Sequence, residues 1–290
     1  MSKTDFQSLW DYNDAAGSEA KFRMLLAETS AETDKSFHAE VLTQIARAQG
    51  LQRKFDEAHA ILDQAQTMIR EDMYGPQVRM LLERGRVFNS SGSKDKAKPL
   101  FVEAWELASH NGLDGLAVDA AHMIAIVEDA EEAFKWNQKA LDLANSSAEP
   151  DAKRWKGSLC NNIGWTHHGN GDFDTALKYF QQALDHRIDQ GKVEETRMAQ
   201  WCVARCLRSL GRVEEALSKQ RELEKETANI KKPDGYIPEE IAECLYELGR
   251  VDEARPYFRR AHELLSKDSW LCENEPKRIE RLKELGSAKQ

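Results

Sequence analysis

The side chains best suited to chemistry in this 290-residue chain are two adjacent histidines, His167 and His168, and two cysteines four residues apart, Cys202 and Cys206. Acidic doublets recur at Glu131–Glu132, Glu194–Glu195 and Glu214–Glu215. A spacing of four puts Cys202 and Cys206 on one helix face, but no further His or Cys completes a tetrahedral zinc set. Neighbouring residues on a helix diverge, so His167 and His168 do not chelate one ion. Cys160, Cys206 and Cys244 fall at core-leaning positions, where a thiol behaves as a small hydrophobe. The acidic doublets sit at turns and in first helical turns, where carboxylates favour the positive end of the helix dipole. No GxxxxGK[ST], GxSxG, HExxH or dinucleotide glycine fingerprint occurs in the sequence. These residues predict no metal centre, no cofactor and no enzyme.

The totals narrow the class further. Hydrophobic residues make up 41% of the chain, enough for a sizeable core, and the low Pro and Gly counts of 7 and 16 favour helix. A net charge of −9 argues against a protein that chiefly binds nucleic acid, though it leaves room for a local basic groove. Five cysteines without framework spacing read as reduced thiols of a cytoplasmic protein. The N-terminal stretch lacks the apolar run of a signal peptide, and no stretch has transmembrane length, so no membrane partner is expected.

The elements that position these residues are helical hairpins. Gly157–Arg187 reads as two amphipathic helices joined by a tight turn at Gly169–Asp172, with Phe173, Phe180, Ala183 and Leu184 as an apolar stripe. The unit recurs over residues 39–70, 78–109, 114–145, 157–187, 197–226 and 235–266. Its marker alanines are Ala58, Ala97, Ala133, Ala176, Ala216 and Ala254, with successive differences in number of 39, 36, 43, 40 and 38. Residues 114–145 are the weakest copy and lack a turn glycine. Small residues at Gly85, Gly164, Ala204 and Ala242 allow the two helices of a hairpin to approach closely. Asn145–Asp151 and Lys231–Gly235 are links between hairpins. Residues 1–38 read as a degenerate capping hairpin and 267–290 as a final capping helix with Pro276 in its first turn. A lone hairpin cannot cover its own apolar face, so the expectation is a single all-α solenoid over 1–290.

Cys160, Ile163, Gly164 and His167, then Ala176 and Phe180, fall on successive sites of the pattern W-x2-L-G-x2-Y…A-x3-F, with Ile188 at its terminal Pro site. With the turns DFDTA, RVEEA and RVDEA, these residues make the chain resemble the tetratricopeptide-repeat family over about residues 39–266. The resemblance implies a right-handed superhelix of antiparallel helical hairpins whose first helices line a concave groove for peptides or protein segments. Applied to this register, it places Arg47, Arg86, Asn89, His122, Asn161, Trp165, His168, Trp201, Arg205 and Arg208 in the groove. The sixth repeat adds Tyr236, Glu239, Glu243 and Tyr246. Through five repeats this list holds no carboxylate, which suits an anionic or C-terminal segment, with arginine making bidentate contacts and tryptophan the apolar anchor. The Lys/Asn/Arg carboxylate clamp of some relatives is not matched in spacing. The competing reading makes each arginine a solvated or ion-paired side chain and packs Trp165 and Trp201 between hairpins.

The function implied is a non-catalytic scaffold or adaptor for a protein or peptide partner. A ligand- or peptide-sensing regulator whose superhelix changes shape on binding is the alternative. An enzyme built on His122, His168 and the arginines is a third reading, and no motif supports it.

Overall fold

Tight three-residue links make the hairpins. In five of the six hairpins the middle residue of the link has a positive φ, as at Gly171 (78°) and at Arg53 (62°). Glycine enters that region without steric cost, whereas Arg53 is a side chain forced into it. At the Gly171 turn the Asp172 N–H donates to the His167 carbonyl at 3.0 Å, and Asp172 then accepts from the Thr175 N–H at 3.2 Å to cap the next helix.

The computed structural model describes residues 6–29, 34–229 and 234–287, and every regular element among them is helical. A 3-10 turn at Phe6–Leu9 precedes α1 (Ala15–Glu28). Hairpins follow as α2 (Lys35–Leu51) with α3 (Phe55–Met68), α4 (Tyr74–Ser90) with α5 (Lys94–His110), and α6 (Asp114–Val127) with α7 (Ala130–Ser146). The short α8 (Pro150–Lys153) leads to α9 (Lys156–Gly169) with α10 (Phe173–Asp189), then α11 (Val193–Ser209) with α12 (Val213–Thr227). The last pair is α13 (Tyr236–Glu247) with α14 (Val251–Leu265), followed by α15 (Ser269–Asn274) and α16 (Pro276–Ser287). The helices form two compact units, Met1–Leu159 and Cys160–Gln290, with the boundary inside α9. All six expected repeats coincide with a helix pair. Their long period comes from helices of up to 17 residues and, between α7 and α9, from the inserted α8. Of the two expected links, Asn145–Asp151 contains the start of α8, and Lys231–Gly235 lies largely outside the described residues.

The flanks differ in how they cap. The polar run after Leu9 ends the first arm as a 3-10 turn, because Asp11 accepts from the Asn13 N–H at 2.9 Å and Asp14 turns back to cap α1. Trp10 fixes this turn to α2 by donating from Nε1 to Gln44 at 3.0 Å. At the other end α16 packs on α14 and buries Leu282, with Ile279 and Leu285 against the same core.

The core is built on one slot per hairpin. Seven residues into each second helix stand Leu62, Phe101, Asn137, Phe180, Gln220 and Phe258. Phe101 and Phe180 lie against a first helix that carries glycine where the ring meets it. A Cβ added at Gly164 would lie 2.7 Å from the Phe180 ring, and one at Gly85 would collide with Phe101. In the third hairpin Asn137 takes the slot and is hydrogen-bonded to His122. That hairpin also has a shortened turn in which Asp129 caps α7 through the Glu131 and Glu132 N–H groups. Both features account for its weak match to the repeat. In the fifth hairpin Gln220 is fully buried, and neither its Oε1 nor its Nε2 has a partner among the described residues.

A buried amide without partners costs about 1–3 kcal/mol. Gln220→Leu keeps the volume and removes that cost, so a gain in unfolding free energy of about 1–3 kcal/mol is expected in urea titration. An equal or lower midpoint would mean that Gln220 is satisfied in solution.

Candidate functional site

Buried polar side chains concentrate on the first helices. Thr43, Gln44 and Gln49 on α2, Glu83 on α4, Asp119 on α6, and Glu239 and Glu240 on α13 are all buried. The second helices α3, α5, α10 and α14 bury only Ala, Leu and Phe. Burying polar groups gains nothing for packing, so the two kinds of helix carry different tasks.

In the first unit α2, α4 and α6 pack side by side. Arg86 pairs with Glu83 on its own helix and with Asp119 on α6. Burial works against its charge, and the two carboxylates outweigh it, holding the guanidinium above its ordinary pKa. Burial likewise opposes the Asp119 carboxylate, but Arg86 and Arg47 hold its pKa below the usual range. Arg47 sits 3.6 Å from Glu83 and lies over the rings of Trp10 and Tyr12, at 5.5 and 5.7 Å. Arg47, Glu83, Arg86 and Asn89 share a pocket of about 180 Å3. His122 is not in its wall. It turns to Asn137 and lies 5.1 Å from the Trp155 ring, with its Nδ1 buried and without a partner among the described residues.

In the second unit the aromatic residues form a row. Trp165 is 6.1 Å from Trp201, Trp201 is 6.1 Å from Tyr236, and the Trp201 indole donates to the Tyr236 carbonyl at 3.2 Å. Trp165 also meets Phe180 edge-on at 5.0 Å, so both tryptophans pack against the core as well as lining the row. Arg205 and Arg208 both reach Glu240, at 3.0 and 2.9 Å, and Arg208 continues to Glu247. Burial opposes the Arg208 charge, yet the bonds to Glu240 and Glu247 hold its pKa above the ordinary value. His168 lies 2.9 Å from Ser209, which also accepts from Arg205 at 2.6 Å. Asn161 accepts from Cys202 at 3.4 Å. Tyr246 stands apart, exposed, with its ring 6.0 Å from Phe258.

The structure corrects one expectation directly. The first-helix faces are not free of carboxylates, since Glu83, Asp119 and Glu240 meet the arginines. In the sixth repeat Glu239 pairs with Arg278 and Glu243 with Arg281. A guanidinium partly removed from water requires a counter-charge, and the neighbouring first helix provides it. The signal was present in the spacing, since Arg86–Asp119 and Arg208–Glu240 are 33 and 32 residues apart, about one repeat.

Three of the thiols are held in the protonated form by burial. Burial pushes Cys202 and Cys244 up to about 12 and Cys206 to about 11, far from a nucleophilic thiolate. Among the described residues no group of three His, Cys, Asp or Glu side chains could hold a metal ion. No helix among them is long and apolar enough to cross a membrane.

Models of the tetratricopeptide repeat match residues 114–189, 161–229 and 240–264. The chain belongs to the tetratricopeptide-repeat family. No curated protein matches its sequence. Among solved structures it is similar to the tetratricopeptide-repeat sensor-bearing STAND ATPase of Pyrococcus horikoshii, at 13% identity and a TM-score of 0.70 over 93% of this chain and 43% of that one. The apo form of RapI aligns at 10% identity and a TM-score of 0.64, covering 96% and 82%. The apo form of the quorum sensor NprR from B. thuringiensis aligns at 14% and 0.60, covering 95% and 82%. Likenesses at this identity show the tetratricopeptide-repeat fold alone.

Three histidines of this repeat protein tie its stability to pH. His59, His122 and His168 all have pKa values lowered first by burial; nearby arginines contribute in each case. In the unfolded chain they bind protons below about 6.5, and in the folded chain they resist. Stability is therefore full above that value and falls as the pH drops through it, by up to about 1.4 kcal/mol per pH unit for each histidine. His168→Gln is expected to flatten the decline between pH 7 and 5 in thermal melts. An unaltered slope would place the titration elsewhere.

Proposed function

We propose that the chain is a non-catalytic interaction module that grips a protein or peptide segment along its first-helix faces, as a scaffold or adaptor. The observation that carries this reading is the concentration of buried polar side chains on the first helices, while α3, α5, α10 and α14 bury only Ala, Leu and Phe. In the second unit, the Trp165–Trp201–Tyr236 row offers apolar anchors beside Arg205 and Arg208, the residue types that dominate binding energy at interfaces. A C-terminal or other anionic group can reach those arginines only in competition with Glu240, so the face favours aromatic and neutral polar contacts with arginine in support. The five cysteines, none in a disulfide, fit a reducing cytoplasm.

A sensing role is the second reading. It is favoured by the similarity to one structure titled a quorum sensor and another titled as carrying a tetratricopeptide-repeat sensor. In that case a peptide or small ligand on the first-helix faces would alter helix packing, and the partner would read the change.

Affinity capture with mass spectrometry separates binding from mere packing. Trp165→Ala with Arg205→Ala is expected to lose the partners that the wild-type chain retains, with the same helical circular dichroism. Full retention of partners by a folded double variant would refute the proposed surface.

A further inference from the structure

The arm between the 3-10 turn and α1 lies against a first helix. Trp10 donates from Nε1 to Oε1 of Gln44 on α2, a residue only 3% exposed, at 3.0 Å. Its ring lies 5.1 Å from Phe22 and stacks on Tyr12 at 5.2 Å, with the two planes 4° apart. The Arg47 guanidinium covers both the Trp10 and Tyr12 rings. Gln44 and Arg47 are three residues apart and so share one side of α2. Together with Phe22 they form a socket for an indole: a buried acceptor, a cation and an apolar ring.

Two observations set this contact apart from the core beneath it. Tyr12 is 55% exposed, so the outer side of the aromatic pair is open. Among the described residues the backbone of Trp10–Asp14 hydrogen-bonds only within the arm and to α1, so side chains alone fasten the pair to α2. The root of the arm differs, since Phe6 is buried against Phe22 and Phe37 at 6.1 and 5.6 Å. Trp10 and Tyr12 can therefore lift while Phe6 stays in place. The socket also dictates what can replace them. When the indole leaves, the Gln44 oxygen loses its donor, and an unmet buried acceptor is costly. A replacing ring must bring an N–H, which tryptophan has and phenylalanine lacks. Arg47 favours aromatic faces and repels a cationic side chain.

We propose that the Trp10–Tyr12 pair is an intramolecular stand-in for a partner, and that its socket on α2 binds a peptide segment carrying tryptophan with a second aromatic residue two positions on. This rests on the reading of the first-helix faces as binding surfaces and names the side chains that one of them takes. The incoming segment displaces the pair, donates its indole N–H to Gln44 Oε1 and lays both rings against Arg47. Because the arm is tethered, it competes at an effective concentration on the order of millimolar. The arm thus sets a threshold that a weak or scarce segment does not pass.

The test is fluorescence anisotropy with a fluorescein-labelled peptide copying residues 7–14, titrated with full-length chains. The double variant Trp10→Ala with Tyr12→Ala is expected to bind the peptide about tenfold or more tightly than the wild type, whose own arm competes. Should that variant fail to fold, Trp10→Phe decides: it keeps a ring against the core, loses the bond to Gln44, and should bind the peptide about threefold more tightly than the wild type. A peptide with phenylalanine in place of its tryptophan should bind the double variant about fivefold more weakly than the parent peptide. Adding Arg47→Gln to the double variant should weaken the parent peptide about threefold. Equal binding by wild type and folded variants overturns the proposal, as does a phenylalanine peptide that binds as well as the parent. No binding to any chain also overturns it and makes the pair a fixed part of the N-terminal cap. The capture experiment on Trp165 and Arg205 reads the second unit, so either reading can fail alone.

Discussion

A guanidinium held between packed helices must find a carboxylate, and much of this protein follows from that constraint. First helices in each unit pack side by side, which removes their arginines partly from water. Arg86 is answered by Glu83 and Asp119, Arg205 and Arg208 by Glu240, and Arg278 by Glu239. Apart from Arg86–Glu83, which lies within α4, each bridge ties one first helix to another, or to the terminal α16. Four of the six second helices fill their slot with Leu or Phe, which holds those hairpins closed. The charge bridges fix how first helices sit beside one another within a unit.

That division of labour explains the chemistry of the faces. Because the arginines are already paired, the faces are nearly neutral and their recognition falls to geometry. In the second unit this means an aromatic row whose members are also braced by the core. In the first it means a small pocket whose polar walls are only partly satisfied. Buried pairs of this kind are weak sources of stability against an apolar alternative but strong sources of specificity in some systems.

The fold was legible because its signals are local and repeated. Small residues opposite Phe101 and Phe180, glycine at positive-φ turns, and alanines at a near-constant spacing each have one physical reason and recur. The third hairpin read weakly for an equally physical reason: Asn137 stands where a ring belongs, and Asp129 replaces the glycine turn with a side-chain cap. The faces were legible only in part. A register places Arg47, Arg86 and Asn89 around one pocket and Trp165 beside Trp201. It cannot show that Glu83 and Asp119 reach the arginines, because that depends on side-chain length and on contacts between repeats. Nor does it show that His122 turns toward Asn137 and away from the pocket. Gln220 has no sequence signal at all, since a lone Gln on an amphipathic helix reads as surface.

The most direct measurement is a double-mutant cycle on Arg86 and Asp119, using Arg86→Met, Asp119→Asn and the pair in urea unfolding. If bridges between first helices organise the faces, the two residues should couple by about 1–3 kcal/mol, with either single change costing more than the double change suggests. A coupling energy near zero would contradict the account, and would return both side chains to independent, solvated roles.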